Sequence, residues 1–153
     1  MKTKLGDNSL IVLSQKQIEE YAEWFDSLGE WTLRANISFR RISSYDWAKK
    51  RLKWFFKYLN KAEERYFDKR VKALVFYEKQ NTSRSGIHIH ALIEGIDSKF
   101  AEIIQEKAKA YFGEYSCILP YDPTLGFKYY VAKKVGTQKL VEYDLYIINS
   151  KIR

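Results

Sequence analysis

The chain contains two histidines, His88 and His90, one residue apart within an apolar run at residues 87–93. Alternate side chains of a β-strand point to opposite faces of a sheet, so the two imidazoles would share one face and the aliphatic side chains the other. Two imidazoles side by side on a strand are typical of a divalent-metal site, because histidine is the commonest metal ligand. The same spacing also occurs in ordinary core or surface histidines, so further residues must decide between the two interpretations.

A carboxylate that could complete such a site lies upstream. Glu78 precedes His88 by ten residues, near the end of the preceding predicted strand, and the two strands are expected to pair as a hairpin. If Glu78 lies on the face of the histidines, the site holds two nitrogens and one carboxylate and keeps positions open for water or substrate. Such ligands, without thiolate, favour Mn²⁺ or Mg²⁺. The alternative is a solvated carboxylate at the end of a hairpin.

A nucleophile is predicted in a helix near the C-terminal end of the sequence, at residues 123–135. In this helix Tyr129 and Tyr130 precede Lys133 and Lys134. At about 100° per residue, Tyr129 belongs to the apolar stripe of this helix and is predicted to be a packing residue. Tyr130 lies away from that stripe, and the two lysines are its neighbours on the helix surface. A nearby lysine would favour the phenolate and could hold a phosphate. Tyr130 is therefore the predicted nucleophile, and a surface tyrosine beside two surface lysines is the alternative. The predicted stripe comprises Leu125, Tyr129, Ala132 and Val135.

Composition narrows the class of protein. The 153 residues are 46% hydrophobic and 16% aromatic, which excludes a disordered chain, and the length predicts one domain. The net charge of +8 favours polyanionic partners, nucleic acid first and anionic membrane second. Aromatic residues interspersed with Lys and Arg favour single-stranded nucleic acid.

Cys117 is the single cysteine, so we expect a reducing, cytoplasmic setting, with no disulfide and no Cys-based zinc site. We expect no signal peptide, membrane span or membrane partner.

The periodicity of apolar residues predicts an α+β fold. Between residues 31 and 121 the order is βαββαβ, typical of a ferredoxin-like or RNA-recognition-motif-like antiparallel sheet with both crossover helices on one face. The aliphatic face of the histidine strand is expected to take these helices, and the tyrosine-bearing helix is expected over the other face. We expect residues 1–29 to be an N-terminal helical extension and residues 30–149 the core. Helices are predicted at 15–28, 44–62, 98–112 and 123–135, and strands at 31–41, 71–79, 86–94, 115–121 and 143–149.

Three segments of the chain resemble the motifs of the HUH single-strand endonucleases, most closely the rolling-circle replication initiator (Rep) proteins of plasmids and viruses. They are residues 37–40, Glu78 with residues 86–90, and residues 130–133. The resemblance implies that His88, His90 and Glu78 bind Mn²⁺ or Mg²⁺. It also implies that Tyr130 attacks the scissile phosphate, assisted by Lys133, in site-specific nicking and joining through a 5′-phosphotyrosine intermediate.

The chain departs from many phage-type relatives at Lys134, where those relatives carry a second tyrosine. A single-tyrosine enzyme is therefore expected, unless Tyr129 takes part. The helicase domain of many viral Reps is not found in residues 1–153, so we expect a separate helicase to unwind the origin. The sequence does not determine the oligomeric state, and a homodimer is one possibility.

Several residues are predicted to contact single-stranded DNA, in an origin that we expect to form a hairpin. Asn36, Ser38 and Arg40 lie on the face predicted to be open, and Arg84 lies in the predicted hairpin loop. These positions could reach phosphates or bases. Lys134 and Tyr129, on the predicted tyrosine helix, complete the predicted DNA-binding set.

Two other classes fit parts of the sequence. A single-tyrosine insertion-sequence transposase is similarly short and carries the histidine pair, but its tyrosine helix usually pairs with glutamine, and Gln138 is out of register here. A non-catalytic single-stranded nucleic-acid-binding module is also compatible with βαββαβ order. That module needs aromatic residues where this chain has His88 and His90, which disfavours it.

Overall fold

A computed structural model describes residues 13–39, 44–62, 67–79, 87–134 and 140–148, and in these ranges one antiparallel sheet lies between two layers of helices. The elements in chain order are α1 (Gln15–Ser27), β1 (Leu33–Ser38), α2 (Tyr45–Ala62), β2 (Phe67–Lys79), β3 (Ile87–Ile96), α3 (Ala101–Phe112), β4 (Cys117–Pro120), α4 (Phe127–Lys134) and β5 (Leu140–Ile148). A single 3₁₀ turn, Ser98–Phe100, leads into α3.

The five strands have the order β4–β1–β3–β2–β5, and every neighbouring pair is antiparallel. The prediction of an α+β fold with an antiparallel sheet is confirmed, and the order of the first four strands is compatible with a ferredoxin-like arrangement. Strand β5 extends the sheet beyond β2. In the described ranges no helix combines the length and the apolar character needed to cross a membrane.

Helices α2 and α3 cover one face of the sheet, as predicted. Their apolar stripes include Leu52 and Ile104, which belong to one buried cluster with Ile37 and Ile89 of the sheet. Alternation along β3 sends the aliphatic side chains at 87, 89, 91 and 93 to this face. His88 and His90 are thereby directed to the opposite face.

Helices α1 and α4 cover part of that opposite face. A capping box starts α1, because Ser14 Oγ accepts from the backbone N–H of Gln17 (3.2 Å) and the Gln17 side chain accepts from the N–H of Ser14 (2.9 Å). The buried residues of α1 include Phe25, which packs on Phe76 of β2 with 4.8 Å between ring centroids. The tyrosine-bearing helix lies on this face as expected, and α1, which was predicted only as an N-terminal extension, shares the face with it.

The predicted start of the tyrosine helix at residue 123 is wrong. The carboxylate of Asp122 accepts from the backbone N–H (2.9 Å) and the hydroxyl (2.6 Å) of Thr124, which makes a turn where a helix cap was expected. Helix α4 begins only at Phe127, and its buried stripe also differs from the predicted one. The prediction that Tyr129 packs in the core is also wrong, since Tyr129 is 39% exposed. The buried residues of α4 are Phe127, Lys128, Val131 and Ala132.

The third helix also differs from its prediction. Asp97, and not Ser98, caps its first turn by accepting from the N–H of Lys99 (2.9 Å), and that turn is 3₁₀ before the α-helix begins. Ile103 of this helix is 44% exposed. Strand β2 begins four residues earlier than predicted, at Phe67, and β4 is shorter than predicted.

Candidate active site

The register of the sheet brings the predicted metal-site residues together. Glu78 of β2 and Ser38 of β1 are both paired with His88 of β3, and Asn36 of β1 is paired with His90. Side chains of residues directly opposite in antiparallel strands lie on the same face. The polar side chains therefore form two adjacent rows across the strands, on the face that carries α1 and α4. One row is Glu78, His88 and Ser38, and the other contains His90 and Asn36.

His90 is held between two acceptors. Its Nδ1 lies 2.6 Å from Oδ1 of Asn36, its Nε2 lies 3.0 Å from Oε1 of Glu78, and the residue is 3% exposed. Nε2 and Oε1 are therefore close enough either to share a hydrogen bond or to bind one cation together. Two atoms that each bind one ion at about 2.1 Å, at a right angle, are about 3 Å apart. The observed separation therefore fits either arrangement.

His88 lies beside His90, with 4.9 Å between the ring centroids, and its Nδ1 is 3.0 Å from the hydroxyl of Ser38. Burial lowers the pKa of His88 below its usual value, and the electrostatic interaction with the neighbouring His90 lowers it further. His88 is therefore neutral at neutral pH. A neutral imidazole has the lone pair that a metal ligand must donate.

Glu78 is a buried, ionised carboxylate. It is 4% exposed, and Oε2 accepts a hydrogen bond of 2.9 Å from Nζ of Lys134. The hydrogen bond with His90 lowers the pKa of Glu78 to about 2, against burial, which raises it, and Lys134 adds to the lowering. Burial would lower the pKa of Lys134, but the hydrogen bond and charge of Glu78, together with the interactions with Tyr130, outweigh it and the pKa is raised. Both groups are thus charged at neutral pH.

Tyr130 faces this cluster from the first turn of α4. Its ring lies edge-on to His90, with 5.5 Å between centroids and 73° between planes, and Nζ of Lys134 is 5.1 Å from the Tyr130 ring centroid. The side chain is 47% exposed, so a large substrate can reach the phenol. Tyr130 and Lys134 are four residues apart and therefore lie on the same side of the helix.

Helix α4 is held by apolar packing on the sheet and by an ion pair with α1. Val131 and Ala132 are buried in the cluster that includes Phe76 of the sheet. Lys128 is almost fully buried, and its Nζ lies 2.8 Å from Oδ2 of Asp26 on α1. Oδ1 of the same carboxylate accepts from the hydroxyl of Tyr121 (2.9 Å). Sequence reasoning missed Asp26, because nothing in the local pattern links it to residues about a hundred positions away.

A cleft opens beside Tyr130, with a volume of about 260 Å³. Its cationic residue is Arg34, whose guanidinium lies 5.3 Å from the centroid of the Phe127 ring. Arg34 was not among the predicted site residues, although it alternates with Asn36 and Ser38 along β1 and so lies on their face. The cleft is lined by Arg34, Asn36, Leu125, Gly126, Phe127 and Tyr130.

The remaining predicted residues lie elsewhere. Lys133 is exposed on α4, and it is Lys134 that reaches Glu78. Tyr129 is exposed, with Nζ of Lys128 5.4 Å from its ring centroid. Arg40 and Arg84 lie outside the residues that the structure describes.

Within the described ranges, no three His, Cys, Asp or Glu side chains already gather their ligand atoms around one point. No protein-family model matches the chain, and no curated protein or solved structure is detectably similar to it. The geometry of the site is therefore the basis for a functional assignment.

Proposed function

We propose that the protein is a metal-dependent endonuclease that nicks and rejoins single-stranded DNA through Tyr130. One observation carries this proposal: the exposed phenol of Tyr130 lies beside His90, and His90 is in contact with Glu78. A nucleophile next to two imidazoles and an ionised carboxylate is the arrangement that a metal-assisted transesterification at phosphorus needs. The net charge of +8 suits a polyanionic substrate.

The donor set fits a divalent cation, Mn²⁺ or Mg²⁺. Glu78, His88 and His90 would hold it, because Glu78 is ionised, His88 is neutral and Nε2 of His90 is 3.0 Å from Oε1 of Glu78. When bound, such an ion polarises a non-bridging phosphate oxygen as a Lewis acid. Ser38 and Asn36 orient the two imidazole rings, because Ser38 contacts Nδ1 of His88 and Asn36 contacts Nδ1 of His90.

The chain's own residues then carry out the transfer. The phenol oxygen of Tyr130 forms a bond to phosphorus while the bond from phosphorus to the 3′ oxygen breaks. The phenol proton passes to solvent, and the departing 3′ oxygen takes up a proton. The ammonium of Lys134 keeps its positive charge and lies near the Tyr130 ring, where it can stabilise the negative charge of the phosphate under attack. The products are a 5′-phosphotyrosine and a free 3′-hydroxyl, and attack by another 3′-hydroxyl rejoins the strand.

The cleft beside Tyr130 offers a path for the DNA. Arg34 supplies a cation and Asn36 supplies hydrogen-bonding groups next to the phenol. The resemblance to Rep motifs extends the proposal to initiation of rolling-circle replication of a plasmid or virus, with the 3′-hydroxyl as primer. A transposase uses the same step, so activity on origin hairpins and on transposon ends is the comparison that separates the two.

The proposal can be tested with Mn²⁺ and a pool of labelled single-stranded hairpin oligonucleotides with randomised loops. A denaturing gel detects protein that carries covalent DNA. Wild type and Tyr129→Phe are expected to form the adduct, whereas Tyr130→Phe and EDTA-treated wild type are expected to form none. An adduct on the Tyr130→Phe protein would overturn the assignment of the nucleophile.

A non-catalytic single-strand-binding module is the second candidate. The observation in its favour is that hydrogen bonds already connect Asn36 to His90, His90 to Glu78 and Glu78 to Lys134. A module of this kind would bind oligonucleotides equally well in Mn²⁺ and in EDTA. It would form no adduct with any sequence in the pool.

A further inference from the structure

Helix α2 presents a row of aromatic side chains to solvent on the far side of the sheet from Tyr130. Trp47 is 43% exposed, Trp54 is 45% exposed and Tyr58 is 44% exposed. At about 100° per residue, positions 47, 54 and 58 fall within about 40° of one another around the helix axis. They are spaced along it by about 10 Å and about 6 Å. Large aromatic side chains so exposed on one strip of surface indicate an interaction site.

The row continues onto α3. The ring of Tyr58 stacks on that of Tyr111, with 6.4 Å between centroids and 17° between planes, and Ile103 is 44% exposed nearby. A groove of about 420 Å³ lies between the two helices. Arg51 fixes Tyr111 from below, because its guanidinium lies 4.4 Å from the ring centroid and donates to the Tyr111 carbonyl (2.9 Å).

Lysines run beside this aromatic row. Lys50, Lys53 and Lys57 are exposed along one flank of α2, and Nζ of Lys107 lies 5.7 Å from the Tyr58 ring centroid on the α3 side. The α2 sequence has six basic residues and a single acidic one. Lysine is depleted at the centre of protein–protein interfaces, so this composition does not favour a protein partner. Exposed rings flanked by cations are the usual arrangement for unpaired bases and their phosphates.

We propose that this surface, defined by Trp47, Trp54, Tyr58 and the flanking Lys50, Lys53 and Lys57, is a binding site for single-stranded nucleic acid. It lies on the opposite face of the sheet from Glu78 and the histidines. Bases stack on the indole and phenol rings, and the lysines contact the phosphates. The site needs no metal and no covalent step, so it can fail or succeed independently of the nicking reaction.

The test measures binding of a fluorescein-labelled oligothymidylate to the wild-type protein in EDTA, by anisotropy and by quenching of tryptophan fluorescence. Trp54→Ala and Tyr58→Ala are each expected to weaken binding about tenfold, and Trp54→Phe is expected to retain most of the affinity because it keeps a stacking ring. Trp24→Ala is the matched control, since Trp24 is 41% exposed but lies on α1. Its affinity is expected to match that of wild type.

The triple substitution of Lys50, Lys53 and Lys57 by glutamine provides a second measurement. The slope of log affinity against log salt is expected to fall by about 2, because three phosphate contacts to a single strand are lost. Wild-type affinity and salt slope in these aromatic and lysine variants would overturn the proposal. Sedimentation showing that Trp54→Ala dissociates a dimer, with oligothymidylate affinity unchanged, would assign the surface to contacts between copies and also overturn it.

Discussion

Nζ of Lys134 lies 2.9 Å from Oε2 of Glu78 and donates a hydrogen bond to it. The same ammonium is 5.1 Å from the ring centroid of Tyr130. One side chain therefore links the proposed metal-site carboxylate to the proposed nucleophile. It also places a positive charge where a phenolate and a phosphate would need one.

The two lysines of α4 are expected to differ in importance. Lys134→Met removes the charge beside Tyr130 and the hydrogen bond to Glu78, so the rate of adduct formation is expected to fall about tenfold to a hundredfold. Lys133→Met is the control, and its rate is expected to stay within about twofold because Lys133 is exposed. The measurement is the single-turnover rate at saturating oligonucleotide. The reverse order of effects would restore Lys133 to the role that the motif resemblance gave it.

Asn36 is expected to act as a positioning residue for metal binding. Its Oδ1 holds Nδ1 of His90 at 2.6 Å, and loss of such a partner typically weakens metal affinity about tenfold to a hundredfold. We expect Asn36→Ala to weaken Mn²⁺ binding by this amount, measured by titration calorimetry without DNA. Asn36→Asp, which keeps an acceptor there, is expected to bind at least as well as wild type. Unchanged Mn²⁺ affinity in Asn36→Ala would contradict the proposed role.

Much of the fold could be predicted because apolar periodicity is local. The helix predicted at 44–62 is present as α2, whose residues Ala48, Leu52 and Phe55 are buried, and the alternation in β3 correctly separated His88 from Ile89. The start of α4 could not be predicted in this way. An Asp-Pro pair suits both a helix cap and a turn, and only the two hydrogen bonds from Thr124 to Asp122 decide between them.

The site was partly predictable for the same reason. Strand periodicity was enough to place His88 and His90 on one face, whereas the face of Glu78 was left open and is decided by its pairing with His88. The choice between the lysines was not predictable, since Lys133 and Lys134 differ by about 100° around the helix and the packing of Val131 and Ala132 decides which one faces the sheet. The contact between Asp26 and Lys128 joins residues 102 positions apart, and no local pattern encodes it.

Acid is expected to weaken the fold through Glu78. Because its pKa falls from 4.5 to about 2 on folding, the stability that it contributes is present above pH 4.5 and is lost as the pH falls through the folded value. Glu78→Gln should therefore be less stable than wild type near neutral pH, and the difference should shrink towards about pH 2. Urea unfolding across this range measures the effect. Glu106→Gln is the control, because its side chain is 66% exposed and no change is expected. A gap between wild type and Glu78→Gln that is independent of pH would contradict this linkage.

Asp26 is expected to anchor the nucleophile helix. Its carboxylate accepts from Lys128 (2.8 Å) and from Tyr121 (2.9 Å), and hydrogen bonds to charged groups are worth about 1.5–3 kcal/mol. Asp26→Asn is therefore expected to lower the free energy of unfolding by about 2 kcal/mol. Asp46→Asn, an exposed change on α2, is expected to have little effect.

The pH dependence of the stability lost in Asp26→Asn identifies which interaction of Asp26 is responsible. The hydrogen bond to Asp26 raises the pKa of Lys128 against the opposing effect of burial. The stability that this pair contributes is therefore fully present below the unfolded value of about 10.4 and is lost as the pH rises through the higher folded value. Urea unfolding of wild type and Asp26→Asn should give curves that converge once the pH exceeds the folded pKa of Lys128. If the two proteins instead differ equally at neutral and alkaline pH, Asp26 acts on α4 through packing and the Tyr121 hydroxyl, and the ion pair contributes nothing.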